Sequence, residues 1–393
     1  MLFGVLARSE RVRSAVRQAV VSGRWMFGIH VQGDCSWLSQ WPLADWQSFV
    51  MWPDPDAAFL RGVPVDRILD LNCASFLPES QCVVPKRERR WDLCIVSRAS
   101  TIKRIAETLR MVRLVLDRYS GLRVNFIVPD RRVLRRGERT YKSDEVVRAY
   151  FEEPRRLFSA TELRQLSFIS ASTEAFGNFP IAHDIIANII AQSKFLFLWS
   201  HAEGTPRVIG EALLAGTPCI VSAKLRSGLA QALASQPTVV LDDTSPADDA
   251  ARIVSAVSNY YEFEVDVPRA QALFADAVNR PRLVAALSAL LIRNGHRVDG
   301  EWFLDDLPLR LCGHGRKRDL QFMYNAELFS RWFDRLEATD PYDEDCVCGS
   351  DGLVDRRAFE DLHRFAERAQ AAVRRTRFVV GTTRRRLFTF MRS

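Results

Sequence analysis

Two carboxylates with seven residues between them, Glu203 and Glu211, mark the part of this 393-residue chain richest in chemistry, FLFLWSHAEGTPRVIGEALLAGTPCIVS from Phe195 to Ser222. Glu203 lies in the short turn Ser200-His201-Ala202-Glu203-Gly204, and Glu211 lies on a segment that reads as a helix. The N-terminus of a helix presents unpaired N–H groups and partial positive charge, which suits an anion. Gly204 carries no side chain to hold a ligand away from the backbone. A carboxylate on the second helical turn can accept two hydrogen bonds from a vicinal diol such as a ribose, and Glu203, nearer the helix mouth, can accept from the hydroxyls of a second ring. A nucleotide diphosphate carrying a sugar satisfies all three features. An ordinary turn followed by a helix with a solvated glutamate satisfies the same spacing, and the residue types alone leave both readings open.

The elements that must position these groups are legible around them. Phe195 to Trp199 has the length and composition of a strand buried on both faces. Thr205 stands where a helix cap belongs, with Pro206 at the first helical position and Gly216 at the end. Cys219 to Val221 opens another apolar strand. Strand, turn, helix and strand make the unit of a parallel α/β sheet, with the turn at the carboxyl end of a strand, where such sheets bind ligands.

The same alternation runs through the middle of the chain. Strands are predicted over Asp92–Ser97, Val124–Val128, Leu166–Ser170 and Thr238–Leu241, six with the two above. Helical stripes fall between them at Ile102, Ile105, Leu109, Val112 and Leu116 and at Ile185, Ile186, Ile189 and Ile190, and a helix is predicted over Ala247–Tyr260. A long polar insert rich in Arg and Glu separates the second strand from the third. The pattern predicts a doubly wound parallel sheet.

EGTPRVIGEALLAGTPCIVS resembles the signature of the retaining, nucleotide-sugar-dependent glycosyltransferases of family four, the group 1 transferases. Ser200, Glu203, Gly204, Glu211, Ala212, Gly216, Thr217 and Pro218 match it, while Thr205 and Pro206 stand where many members have Phe-Gly. SRASTIKR (97–104) is similar to the family's Gly-Arg-x-x-x-x-Lys segment after the first strand of the donor domain. The resemblance implies a GT-B-like fold and transfer of a sugar from a nucleotide diphosphate donor to a hydroxyl acceptor, with retention of configuration and no metal or other cofactor. Arg98 and Lys103 would then hold the diphosphate, and fixed cations stabilise the charge that grows on it as the glycosidic bond breaks. Glu211 would hold the ribose, and Glu203 would orient the sugar with the backbone of Gly204 and Thr205, Pro206 and Arg207 lining the donor site. Without the resemblance, Arg98 and Lys103 read equally as solvated surface cations.

The N-terminal part matches less. RWMFGIHVQG (24–33) and FVMWP (49–53) read as strands, and Asn72-Cys73-Ala74-Ser75-Phe76-Leu77-Pro78 loosely resembles the family's interdomain segment. Residues 1–76 would then be a reduced acceptor-side half without the family's glycine-rich turn. His30 could stand for its active-site histidine, or simply be a packed one. Pro78 to Arg90, with the charge run Lys86-Arg87-Glu88-Arg89-Arg90, reads as a linker. The expected domains are 1–90, 91–295 and a helical C-terminal extension over 296–393.

Composition bounds the partners. The net charge is +7, only six of the 55 basic residues are lysine, and acidic residues are interspersed almost throughout, which argues against nucleic acid. The eight cysteines form no CxxC pair; Cys73, Cys82, Cys94 and Cys219 read as small buried hydrophobes, and Cys346-Val347-Cys348 has no second pair to complete a zinc site. No apolar run approaches a membrane span, and the N-terminus lacks the order of a secretory signal. The expected location is therefore cytoplasmic. The tail Arg374 to Ser393, with seven arginines, no carboxylate and interleaved Phe, Val and Leu, has the composition of a segment resting on an anionic inner membrane face, or of a solvated tail. A glycan or lipid-linked acceptor fits the first of these. The alternative to a transferase is a non-catalytic nucleotide-sugar-binding subunit whose partner supplies the acceptor half.

Overall fold

The computed structural model describes residues 28–30, 49–52, 60–78, 84–97, 103–128, 132–135, 138–141, 152–169, 183–201, 203–225, 227–295 and 297–298. Two compact units are present: residues 30–41 with 49–298 form one, and of the other, made of 1–29, 42–48 and 299–393, only Gly28 and Ile29 are among the described residues. The predicted C-terminal helices, the pair Cys346/Cys348 and the arginine tail lie outside the described residues.

Six parallel strands form the centre of the larger unit: β1 (Trp91–Val96), β2 (Val124–Ile127), β3 (Leu166–Ile169), β4 (Ser193–Leu198), β5 (Cys219–Ser222) and β6 (Thr238–Leu241). Their spatial order is β3-β2-β1-β4-β5-β6. This is the doubly wound order in which the chain reverses direction between β1 and β4, and the crevice beyond the carboxyl ends of those strands is where such sheets take ligands. The register sets Leu93 beside Val124 and Phe195. Leu196 is flanked by Cys94 of β1 on one side and Cys219 of β5 on the other.

Both faces are covered, as strands with no polar face require. Because side chains alternate along a strand, Leu93, Ile95, Phe195, Phe197 and Trp199 enter one core with helices α1 (Ile105–Leu116) and α4 (Pro246–Ser258). Cys94, Leu196 and Leu198 enter the other, with α2 (His183–Ala191), α3 (Arg207–Leu214) and α5 (Val267–Phe274). Helix α6 (Asp276–Arg293) follows α5 directly. The insert between β2 and β3 carries a two-stranded antiparallel ribbon, Arg132–Arg135 with Glu138–Tyr141.

The N-terminal stretch contributes the short strand Gly28–His30 and a parallel pairing of Phe49–Met51 with Ile68–Leu69. Asn72 then caps a single turn at Cys73–Ser75: its Oδ1 accepts from Ala74 N at 2.6 Å while its own N–H donates to Ser75 Oγ at 3.1 Å. Beyond that turn Leu77 exchanges backbone hydrogen bonds with Phe274 and Asp276. Leu77 and Phe274 also close on Gly210 of α3, where a Cβ would sit 2.7 Å from Leu77 Cδ1 and 2.9 Å from Phe274 Cδ1. Glycine at 210 thus permits the close approach of α3 to α5 and to residues 72–77.

Two sequence expectations are corrected. Thr205 does not cap α3: Pro206 is the N-cap residue, without a side-chain hydrogen bond into the helix, and the Thr205 hydroxyl meets Cys73 Sγ at 2.9 Å instead. Arg89, read as part of a linker charge run, is buried. Its guanidinium donates to Ser193 O (2.7 Å), Thr217 Oγ1 (2.6 Å), Ala215 O (3.2 Å), Gly216 O (2.9 Å) and Val84 O (3.3 Å). Three of these acceptors, from Ala215, Gly216 and Thr217, lie at the C-terminal end of α3, where the helix dipole is negative. That end is closed by Gly216, at φ +67°, with Thr217 N donating to Ala212 O and Gly216 N to Leu213 O.

Candidate active site

Residues following β1 and β4, on either side of the switch point, and following the outermost strand β6 bring charged side chains together beyond the carboxyl edge of the sheet. Lys103, at the end of the β1 loop, forms an ion pair with Glu203 of the turn after β4. Both side chains are largely withdrawn from solvent, at 11% and 9% exposure, so the pair interacts across a medium less screening than water. Gly204 is tied by its carbonyl to Gly228 N at 2.9 Å. Thr205 is buried, Pro206 precedes α3 and Arg207 opens it. Glu211, one turn further on the same helix, is buried at 7% exposure. The structure therefore sets Lys103 against Glu203, and Glu203 at the entrance of the helix that holds Glu211. Arg98 lies outside the described residues, and His30 closes the strand Gly28–His30.

A second set of groups, not anticipated from the sequence, stands beside the first. Asp243, just past β6, accepts from Arg104 Nη1 at 2.8 Å and pairs with His201 Nε2, which also touches Arg104 Nη1. Ser222 Oγ donates to the same Asp243 oxygen at 3.3 Å, and Lys224 Nζ donates to the Asp243 carbonyl at 2.9 Å. The Arg104 guanidinium lies over the Trp199 ring, 4.2 Å from its centroid. Burial disfavours the charged form of Asp243, but hydrogen bonds from Arg104 and His201, with the charges behind them, outweigh it and hold the carboxyl below the usual carboxylate range. The sequence carried one signal for this cluster, the acid pair Asp242-Asp243 directly after the apolar strand Thr238–Leu241.

Other polar groups here have structural roles or none visible. Ser200 is fully buried, and its hydroxyl has no hydrogen-bond partner among the described residues. Cys94 and Cys219 are buried thiols pushed up to about 12 by desolvation, which removes them as nucleophiles near neutral pH. Chemically, the edge offers a cation–carboxylate pair, a helix N-terminus and a buried carboxylate, a set suited to an anion joined to a polyhydroxylated group.

No protein-family model and no curated protein matches the chain. Among solved structures, it is similar to Anabaena HepE in complex with UDP, with 12% identity and a TM-score of 0.51 over 72% of this chain and 77% of that one. TarM is matched at 13% identity and a TM-score of 0.46 over 67% of this chain, which spans 49% of TarM's length. Sucrose-phosphate synthase from Thermosynechococcus elongatus is matched at 17% identity and a TM-score of 0.45, covering 68% of each chain. At such identities the HepE likeness is one of fold, and the fold is the one expected: α/β and GT-B-like, built on a doubly wound, Rossmann-type parallel sheet.

Proposed function

We propose that this chain is a glycosyltransferase that moves a sugar from a nucleotide diphosphate donor to a hydroxyl of a glycan or lipid-linked acceptor, with retention of configuration and without a metal. The observation that carries this is the Lys103–Glu203 pair at the mouth of the helix bearing the buried Glu211, beyond the switch point of the sheet. In this reading Lys103, with Arg98, takes the diphosphate, and Glu211 accepts from the ribose hydroxyls. Glu203, with the backbone of Gly204 and Thr205, orients the sugar; Pro206 and Arg207 line the donor. The bond from the anomeric carbon to the diphosphate oxygen breaks with its electron pair leaving on the diphosphate. The acceptor oxygen forms the new bond and passes its proton to the departing diphosphate oxygen. The cations act where negative charge grows during the step, so they favour the transition state over the bound donor.

HepE, whose fold this chain shares, is solved with UDP, which makes UDP-sugars the first donors to try. The test is thermal stability against a panel of nucleotide sugars, followed by donor hydrolysis. A ligand at about one hundred times its Kd adds about 2.7 kcal/mol to stability, well above detection. Slow release of sugar and nucleotide supports the transferase. Binding without turnover supports the non-catalytic subunit, and no stabilisation by any nucleotide sugar or diphosphate refutes both.

A further inference from the structure

Among the described residues, two that are not glycine adopt a left-handed backbone, Arg104 at φ 51° and Asp243 at φ 59°. The conformation is unfavourable for side chains other than glycine, and it persists only where surrounding contacts impose it. These two residues lie 139 positions apart in sequence and are hydrogen-bonded to each other. Each is also pinned from behind. Arg104 is the N-cap residue of α1, its carbonyl accepting from Thr108 N and Thr108 Oγ1, both at 2.8 Å. The Asp243 N–H donates to Asp249 Oδ2 and the Asp242 N–H to Asp249 Oδ1, both at 3.0 Å, and Asp249 is itself buried on α4.

The neighbours give the arrangement its meaning. Arg104 follows Lys103, and His201 stands two residues before Glu203. A single Asp243 oxygen therefore draws together the two loops whose adjacent residues make the Lys103–Glu203 pair. We infer that Asp243 is a positioning residue for the donor site, a clamp through Arg104 and His201 that holds Lys103 and Glu203 in place against each other. This rests on the reading of Lys103 and Glu203 as donor-binding groups. Among the described residues, the titratable and charged groups facing the Asp243 carboxylate are Arg104 from the β1 loop, His201 from the β4 turn and Lys224 beyond β5, whose Nζ is 3.9 Å from Oδ2. Fixing these loops before the ligand arrives spares it the cost of ordering them.

The experiment uses the full chain and inorganic pyrophosphate, which carries the diphosphate without a base or sugar. Asp243→Asn keeps the shape and tolerates the left-handed backbone while removing the charge. Amide hydrogen exchange without ligand should rise about tenfold in both 103–108 and 199–205, with β2 and β3 unchanged. Pyrophosphate affinity, measured well below the melting temperature, should fall about tenfold, the effect of losing one charge-assisted hydrogen bond. Arg104→Ala and Arg104→Lys carry the same backbone cost, so a smaller change in the Lys variant isolates the cation. Adding Arg104→Ala to Asp243→Asn should have little further effect, since both cut the same link. Faster exchange confined to 242–249, or unaltered pyrophosphate affinity in the Asn variant, would overturn the clamp. If the wild-type chain binds no pyrophosphate, the diphosphate reading falls, and the exchange pattern alone decides whether Asp243 joins the two loops.

Discussion

Arg89 offers the sharpest test of what holds the sheet and α3 together. It is 8% exposed, and its five N–H donors reach the carbonyls of Val84, Ser193, Ala215 and Gly216 and the hydroxyl of Thr217. Burial lowers its pKa, while Tyr260 and Glu264 act in the opposite direction. Arg89→Met fills part of the space but leaves those acceptors without donors. A hydrogen bond to a charged group contributes about 1.5–3 kcal/mol, but the five are not additive, and removing the guanidinium also removes its desolvation penalty. The expected net loss is about 3–5 kcal/mol, as when a buried charged network is cut from one side. Against a typical domain stability of about 5–15 kcal/mol, that is about a fifth or more. Urea unfolding followed by circular dichroism should show a lower midpoint with an unchanged slope. Arg89→Lys should lose somewhat less because it keeps a cation and some donors, but not recover wild-type stability, because one ammonium cannot span five acceptors. A Met variant within about 1 kcal/mol of wild type, or more stable, would refute the reasoning and show that desolvation cancels the network.

Other outcomes follow from single features. Glu211→Gln should weaken binding of the parent nucleoside diphosphate about tenfold to a hundredfold with the fold intact, as titration calorimetry would show; unchanged affinity removes Glu211 from the ribose site. Gly210→Ala should destabilise the chain by up to about 2 kcal/mol, the cost of overpacking against Leu77 and Phe274 exceeding the gain in helix propensity; a rise in melting temperature would mean that α3 simply shifts. Asp243 has a lowered pKa, so its contribution is present above the ordinary carboxylate range and is lost as the pH falls through its folded value. Asp243→Asn should accordingly flatten the fall in stability on acidification below about pH 4, measured by thermal melts in a pH series. Deleting 374–393 should abolish sedimentation with anionic vesicles at low salt and leave nucleotide binding untouched, whereas indifference of the full chain to such vesicles ends the membrane reading.

How much of this could be read from the sequence depended on how local the cause was. The central strands β4 and β5 were legible because a strand covered on both faces is a short unbroken apolar run, and FLFLW and CIV are that. The strand–turn–helix unit holding Glu203 and Glu211 was legible for the same reason, its signals lying within a few residues of one another. Thr205 misled because its hydroxyl serves a partner, Cys73, that lies 132 positions away. Arg89 misled because a run of charges in sequence does not tell which member turns inward to a helix end. The Arg104–His201–Asp243 cluster needs three strands in their spatial order before its members can meet, and no spacing in the sequence encodes that order.

The placement of Cys94 and Cys219 on either side of Leu196 makes the sheet its own clock. With two strand spacings between them, about 10 Å, they are too far apart to bridge, so oxidation cannot staple β1 to β5 across the middle strand. Held as neutral thiols inside, they also cannot attack an external disulfide until the strands part. The rate at which an aromatic disulfide reagent titrates these two sulfurs should therefore equal the opening rate of the sheet when reagent is in excess, and a tightly held donor should slow that rate without touching either cysteine.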